Sequence, residues 1–253
     1  MRAPDAISAD LAAAADPLYA RRVGRHLRPL RGLRGVPGAE ITRVLVESWR
    51  ESPAHPVADG PALMHLFSTA FEDGLVAIGL TAAALPDQPA AVLERAAAFV
   101  GFADDLQTAD AVGWLLWGPA LLATRAPFAQ RLAEAWGRDP TTRRAAAIAG
   151  LCLLPIAVEG PACAALRERL GARLVAFVDQ PLDDQLHAHL GLWMRDEDPH
   201  VRRATARTLR EWAVLSPDRA EACANAHRGG LPRFLRDELD LGLKKGRRPA
   251  RRG

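Results

Sequence analysis

Asp198-Pro199-His200-Val201-Arg202-Arg203-Ala204-Thr205-Ala206-Arg207-Thr208-Leu209-Arg210-Glu211-Trp212 is the stretch whose reading decides the fold. An aspartate followed by proline is a helix opening: the carboxylate caps free amides, and proline suits the first helical position because that amide has no partner anyway. Arg203, Arg207 and Arg210 then recur at i, i+4 and i+7 and share one face. Val201, Ala204, Thr205, Thr208 and Trp212 form the opposing, mostly apolar stripe. The same opening stands 59 residues earlier, at Asp139-Pro140-Thr141-Thr142-Arg143-Arg144, again followed by an alanine-rich helix. Small residues let neighbouring helices approach closely, so a recurring unit of this kind predicts an array of packed helices.

Outward from these two helices, apolar-periodic segments are separated by Pro, Gly and Asp. Helices are expected near 8–15, 17–33, 38–51, 60–71, 73–85, 89–103, 108–123, 127–137, 141–157, 161–178, 183–194, 199–215, 217–227 and 231–243. No strand or Asn-Gly hairpin is expected. Composition agrees: 50 Ala, 35 Leu and 31 Arg stand against 14 Val, 5 Ile and 1 Tyr. The first three are strong helix formers and the last three favour strands, which excludes an all-β chain and disfavours a parallel-sheet enzyme.

The net charge of +3 hides a segregation, because the last ten residues carry six cations and no acid, leaving 27 Lys and Arg against 30 Asp and Glu elsewhere. Nucleic-acid affinity therefore has to come from local clusters. Residues 17–39 contain no acid but include Arg21, Arg22, Arg25, Arg28, Arg31 and Arg34, with Arg21, Arg25 and Arg28 on one face of the expected helix 17–33. Two readings stand: arginine forks for phosphate oxygens, or solvated surface in an arginine-rich chain. Cys152, Cys163 and Cys223 lack metal-ligand spacing, and His187 and His189 would point to different sides of a helix. No metal or cofactor is expected. The longest apolar run, Ala145–Val158, is too short for a membrane span, so no membrane association and a cytoplasmic compartment are expected.

One acidic segment stands out, Asp104-Asp105-Leu106-Gln107-Thr108-Ala109-Asp110, just ahead of an apolar helix. In one reading Thr108 caps that helix and Asp110 complements its positive end. In the other, Asp110 is a carboxylate held at a concave rim for a cationic ligand or transition state.

Taken in order, these segments resemble the AlkD-like DNA alkylation repair proteins, HEAT-like repeat alkylpurine DNA glycosylases, from about Leu18 to Leu243. Arg21 to Leu27 with Gly35-Val36-Pro37 is similar to the family's basic helix and following turn. Asp110 with Gly118 is similar to its active-site segment, Trp136 with Arg144 to Ile148 to its tryptophan and arginine signature, and Arg202 to Glu211 with Pro217 to its later segment. The region between Ile148 and Arg202 is longer than the resemblance leads one to expect, by about one helix.

The resemblance implies an all-α fold of HEAT-like helical repeats in a curved solenoid with a concave basic face, in one domain over 1–243; the cation-rich composition of 244–253 predicts a basic, disordered tail. The resemblance also implies a monofunctional glycosylase for cationic N3- or N7-alkylpurines acting on double-stranded DNA as a monomer, nucleoid-associated when bound in a bacterial cytoplasm. Asp110 takes the catalytic role, and Arg144, Arg143, Arg203, Arg207, Arg21, Arg25 and Arg28 bind DNA. The family's two site tryptophans fall at Leu106 and Arg207, so a repeat protein that binds nucleic acid without cutting, or a HEAT-like protein scaffold, remains open. Trp114, Trp117 and Trp193 could supply aromatic surface, although their apolar neighbours point to core packing.

Overall fold

The computed structural model describes residues 1–27, 29–52, 56–124, 131, 134–135, 138–153, 190–227 and 231–247. It is all-α, with no strand among the described residues. The chain divides into two compact units, 1–124 and 125–253.

In the first unit α1 (Pro4–Ala13) opens on a proline and buries Ile7 and Leu11, one turn apart. Pro4 at the helix start sets its beginning earlier than residue 8, where apolar periodicity alone puts it. α2 (Pro17–Val23) is capped by Asp16, whose carboxylate accepts from the Leu18 and Tyr19 amides. It ends at Val23, ten residues short of the expected 33. The arginine spacing continues a helical rhythm, but Gly24 closes the helix and Gly32 and Gly35 take positive φ, +89° and +80°. A Cβ at Gly35 would lie 2.5 Å from the Asp16 carbonyl oxygen, so the chain there needs both the left-handed conformation and the missing side chain.

α3 (Gly38–Arg50), α4 (Gly60–Thr69), α5 (Phe71–Ala83) and α6 (Pro89–Phe102) follow close to the expected boundaries. α4 packs on α5, and α3 on α5. Leu63, Leu66, Phe67, Val76, Leu80 and Phe99 fill the core, with the Phe67 and Phe99 rings stacked at 4.3 Å between centroids. Each such side chain contributes roughly 1.5–3 kcal/mol through water exclusion. The next helical run is α7 (Leu106–Ala111), a π-helical segment (Val112–Trp117) and α8 (Gly118–Ala123). Pro119 lacks an amide and its ring would strike the carbonyl one α-turn back, so the wider turn before it accommodates the ring.

In the second unit α9 (Pro140–Ala149) and α10 (Pro199–Leu215) are the two Asp-Pro helices. Asp139 accepts from the Thr142 amide, and Asp198 from the His200 and Val201 amides, as the openings predict. α9 packs against α10, where Ala145, Ala146, Ala147 and Ala149 are fully buried and the Thr208 hydroxyl donates to the Ala147 carbonyl at 3.2 Å. α11 (Pro217–Ala226) and α12 (Arg233–Gly246) complete the described part, both packing on α10. Lys244, Lys245 and Gly246, expected in a disordered tail, are the last turn of α12; two lysines there suit the negative end of the helix. The expected helix 161–178, most of 127–137 and 183–194, and the end of 141–157 lie outside the described residues, as do residues 248–253 of the tail.

Candidate functional site

Arg31 organises the acidic segment of the first unit. Its Nε donates to Asp104 at 2.9 Å, one Nη to the Phe67 carbonyl at 2.6 Å, and the other to Asp105 at 3.0 Å and the Thr108 hydroxyl at 2.8 Å. Its backbone amide also donates to Asp104, at 2.9 Å, and the guanidinium lies over the Phe67 ring, 4.6 Å from the centroid. The pairs are mostly withdrawn from water, so these are charge-assisted bonds in a shielded setting. Arg34 does the same one turn of chain later: its Nε donates to buried Asp73 at 2.8 Å. Buried Glu72 accepts from the backbone amides of Arg34, Gly35 and Val36. Arg31 and Arg34, counted by sequence among a basic run, are therefore internal ties. Their partners lie 26 to 77 residues away in the chain, which local patterning cannot reveal.

The cap of the Asp110 helix is Asp105, not Thr108. The Asp105 carboxylate accepts the Thr108 amide at 2.8 Å and the Thr108 hydroxyl at 2.5 Å, and the helix starts at Leu106. Asp110 is then the fifth helical residue, past the first turn where the positive end acts most strongly. Leu106, Asp110 and Trp114 follow one another at four-residue spacing along one side of this run. Leu106 and Asp110 are half-buried, and Trp114 is 39% exposed. Trp117 and Trp193 are buried, as their apolar neighbours predict; Trp114 is not, and is corrected to a surface aromatic. The signal available in sequence was its place one turn beyond Asp110.

Of the expected basic face over 17–33, Arg21 lies in the last turn of α2 and Arg25 in the turn after it, both exposed. Since α2 ends at Val23, Arg21 and Arg25 do not share a helix face, and Arg28 lies outside the described residues. Exposed Arg22 lies over the Tyr19 ring at 5.0 Å.

In the second unit Arg143 grips Asp196 with two bonds, Nε at 2.7 Å and Nη2 at 3.2 Å, and donates to the Arg138 carbonyl. Arg144 is 9% exposed and donates to the His200 carbonyl at 2.7 Å, at the start of α10. The pair thus holds the α10 opening in place, a use that spacing did not reveal. Arg203 and Arg207 share the exposed face of α10 as expected, and no acid pairs with either among the described residues. Arg210, the third of that series, is instead taken by Glu238 of α12 at 2.9 Å.

Among the described residues no group of three or more His, Cys, Asp or Glu side chains could hold a metal, and no helix is long and apolar enough to cross a membrane. Trp136, Cys163, His187 and His189 lie outside the described residues. No curated protein and no solved structure matches the chain. The family model described as DNA alkylation repair enzyme matches residues 7–238. That match covers nearly the whole chain and both units, and it carries a role in DNA repair with DNA as the partner: the chain belongs to the DNA alkylation repair enzyme family.

Proposed function

We propose that the protein is a monofunctional DNA glycosylase that excises cationic N3- or N7-alkylated purines from double-stranded DNA, with Asp110 as its catalytic carboxylate. The observation that carries this reading is the accessible stripe Leu106, Asp110, Trp114, on a helix whose start is fixed by Arg31 and Asp105. Alkylation at N3 or N7 leaves the purine positively charged, so it departs readily as a neutral base with the electrons of its glycosidic bond. The sugar is left oxocarbenium-like, and water then bonds to C1′ and gives up a proton. A carboxylate placed beside that sugar stabilises the developing positive charge. The indole face of Trp114 offers a further surface for a cation.

Phosphate contacts fall to the exposed Arg21, Arg25, Arg203 and Arg207, with Arg28 added from its place in the same acid-free segment. Arg143 and Arg144 support them by holding the start of α10, which carries Arg203 and Arg207. No cofactor is required by this chemistry, and a monomer suffices for it.

The test is release of N3- and N7-methylpurines from methylated duplex DNA by wild type and Asp110→Asn. Wild type releases both above spontaneous depurination, and the variant loses about 10²–10³-fold in rate, the scale for removing one preorganised electrostatic group. Binding without release would overturn the glycosylase reading. It would leave a repeat protein that holds DNA without cutting, which Leu106 and Arg207 at the family's tryptophan positions favour. Absence of duplex binding altogether would favour a protein-binding scaffold.

A further inference from the structure

Leu30 is 90% exposed, yet it sits next to Arg31, whose side chain and amide make five hydrogen bonds to the body of the unit. A leucine held out by so fixed a neighbour is not a loose loop tip. Phe102, 63% exposed at the end of α6, lies two residues before Asp104, the carboxylate that Arg31 grips. One ion-pair joint therefore carries an exposed leucine on one strand of chain and an exposed phenylalanine on the other. The same joint caps the helix of Asp110, five residues on from Asp105, roughly 7.5 Å along the axis.

The surroundings indicate what such an edge meets. Arg21, Arg22 and Arg25 are exposed in the acid-free stretch that leads into Leu30. Of the carboxylates tied to this loop, Glu72, Asp73, Asp104 and Asp105 are occupied by Arg31, Arg34 and backbone amides, and exposed Asp16 is engaged by the Leu18 and Tyr19 amides at the start of α2. What remains outward is apolar at the tip and cationic behind it. Apolar side chains flanked by arginines suit a duplex: the cations take phosphate oxygens while the apolar groups press between or against base steps and loosen their stacking.

We propose that Leu30 and Phe102 form an apolar wedge that unstacks duplex DNA beside Asp110, with Arg21, Arg22 and Arg25 on the flanking phosphates. This deepens the glycosylase reading, and it rests on duplex DNA being the ligand. Partial unstacking brings the glycosidic bond of a damaged nucleotide toward the half-buried Asp110 carboxylate.

The test uses the full chain and an unmodified duplex carrying 2-aminopurine, whose fluorescence rises when it unstacks. Wild type is compared with Leu30→Ala, Phe102→Ala and the double variant, each at saturating protein in low salt, with binding followed separately by anisotropy. Both side chains are largely in water, so the variants keep the thermal midpoint of wild type. The expected result is a rise with wild type, most of it lost in the double variant while binding persists. Binding by wild type with no rise, or a rise that the double variant leaves intact, overturns the wedge and leaves the glycosylase reading standing. No duplex binding by wild type, or binding to phosphatidylserine vesicles in place of duplex, overturns both.

Discussion

Arg31 is a largely shielded cation paired with two carboxylates, and its removal leaves Asp104 and Asp105 without their counter-charge. Losing one partner of a shielded ionic cluster is far costlier than losing a surface pair, because the remaining charges stay desolvated. Arg31→Met should therefore lower unfolding stability by about 3 kcal/mol, read as a fall in the urea midpoint. Arg25→Met, at an exposed residue, should stay within about 0.5 kcal/mol of wild type. Equal effects of the two would show that the Arg31 cluster contributes no more than surface charge. The contrast also states what single residues reveal in sequence. Arg25 and Arg31 are indistinguishable in a basic run, since the difference between them lies 73 or more residues away, in Asp104 and Asp105. The helix start in the acidic segment 104–110 was legible, although its cap is Asp105 and not Thr108. The exposure of Trp114 had only its place one turn beyond Asp110 to signal it, against apolar neighbours and a π-helical segment that changes the register at that point.

Helix elements were the most legible level. The Asp-Pro openings place the starts of α9 and α10 to the residue or next to it, because cap and proline act locally. The misreading of 17–33 has the opposite cause: its arginine rhythm is local, while its true path is set by Gly32 and Gly35 and by the Glu72 carboxylate of α5. The cap of α9 yields a pH prediction. Burial pushes the Asp139 carboxyl up, but hydrogen bonds from the Thr142 hydroxyl and amide, joined by the Asp139 and Thr141 amides, outweigh it and hold the group below its ordinary value. A lowered folded-state value means the ionised cap stabilises the protein fully above the unfolded carboxylate value of about 3.9, and that the contribution is lost as pH falls through the folded value. Asp139→Ala should cost about 1 kcal/mol at neutral pH. Urea midpoints of wild type and variant should converge as acid protonates Asp139; a gap that persists or widens in acid would rule out the carboxylate as the cap's source of stability.

At the level of the whole molecule, composition and the family match agree on an all-α DNA repair protein, yet the net charge of +3 says little about how it holds DNA. Much of the arginine content is spent inside the protein. Arg31 and Arg34 tie the first unit together, Arg143 and Arg144 hold α10, and Arg210 and Arg247 pair with acids at the surface of the second. Arg21, Arg22 and Arg25 in the first unit, with Arg203 and Arg207 in the second, are the exposed arginines argued above to meet phosphate. Each phosphate neutralised adds about −0.9 to the slope of log affinity against log salt, so these five contacts together with Arg28 give a slope of about −5.4. Arg203→Ser with Arg207→Ser should flatten it by about 1.8, and Arg21→Ser with Arg25→Ser by a similar amount. Arg210→Ser, which breaks a pair with Glu238, should leave the slope where it is. Duplex titrations from low to moderate salt measure all three. A slope that responds to Arg210 as strongly as to the Arg203 and Arg207 pair would mean that total charge, and not the exposed face of α10, meets the backbone.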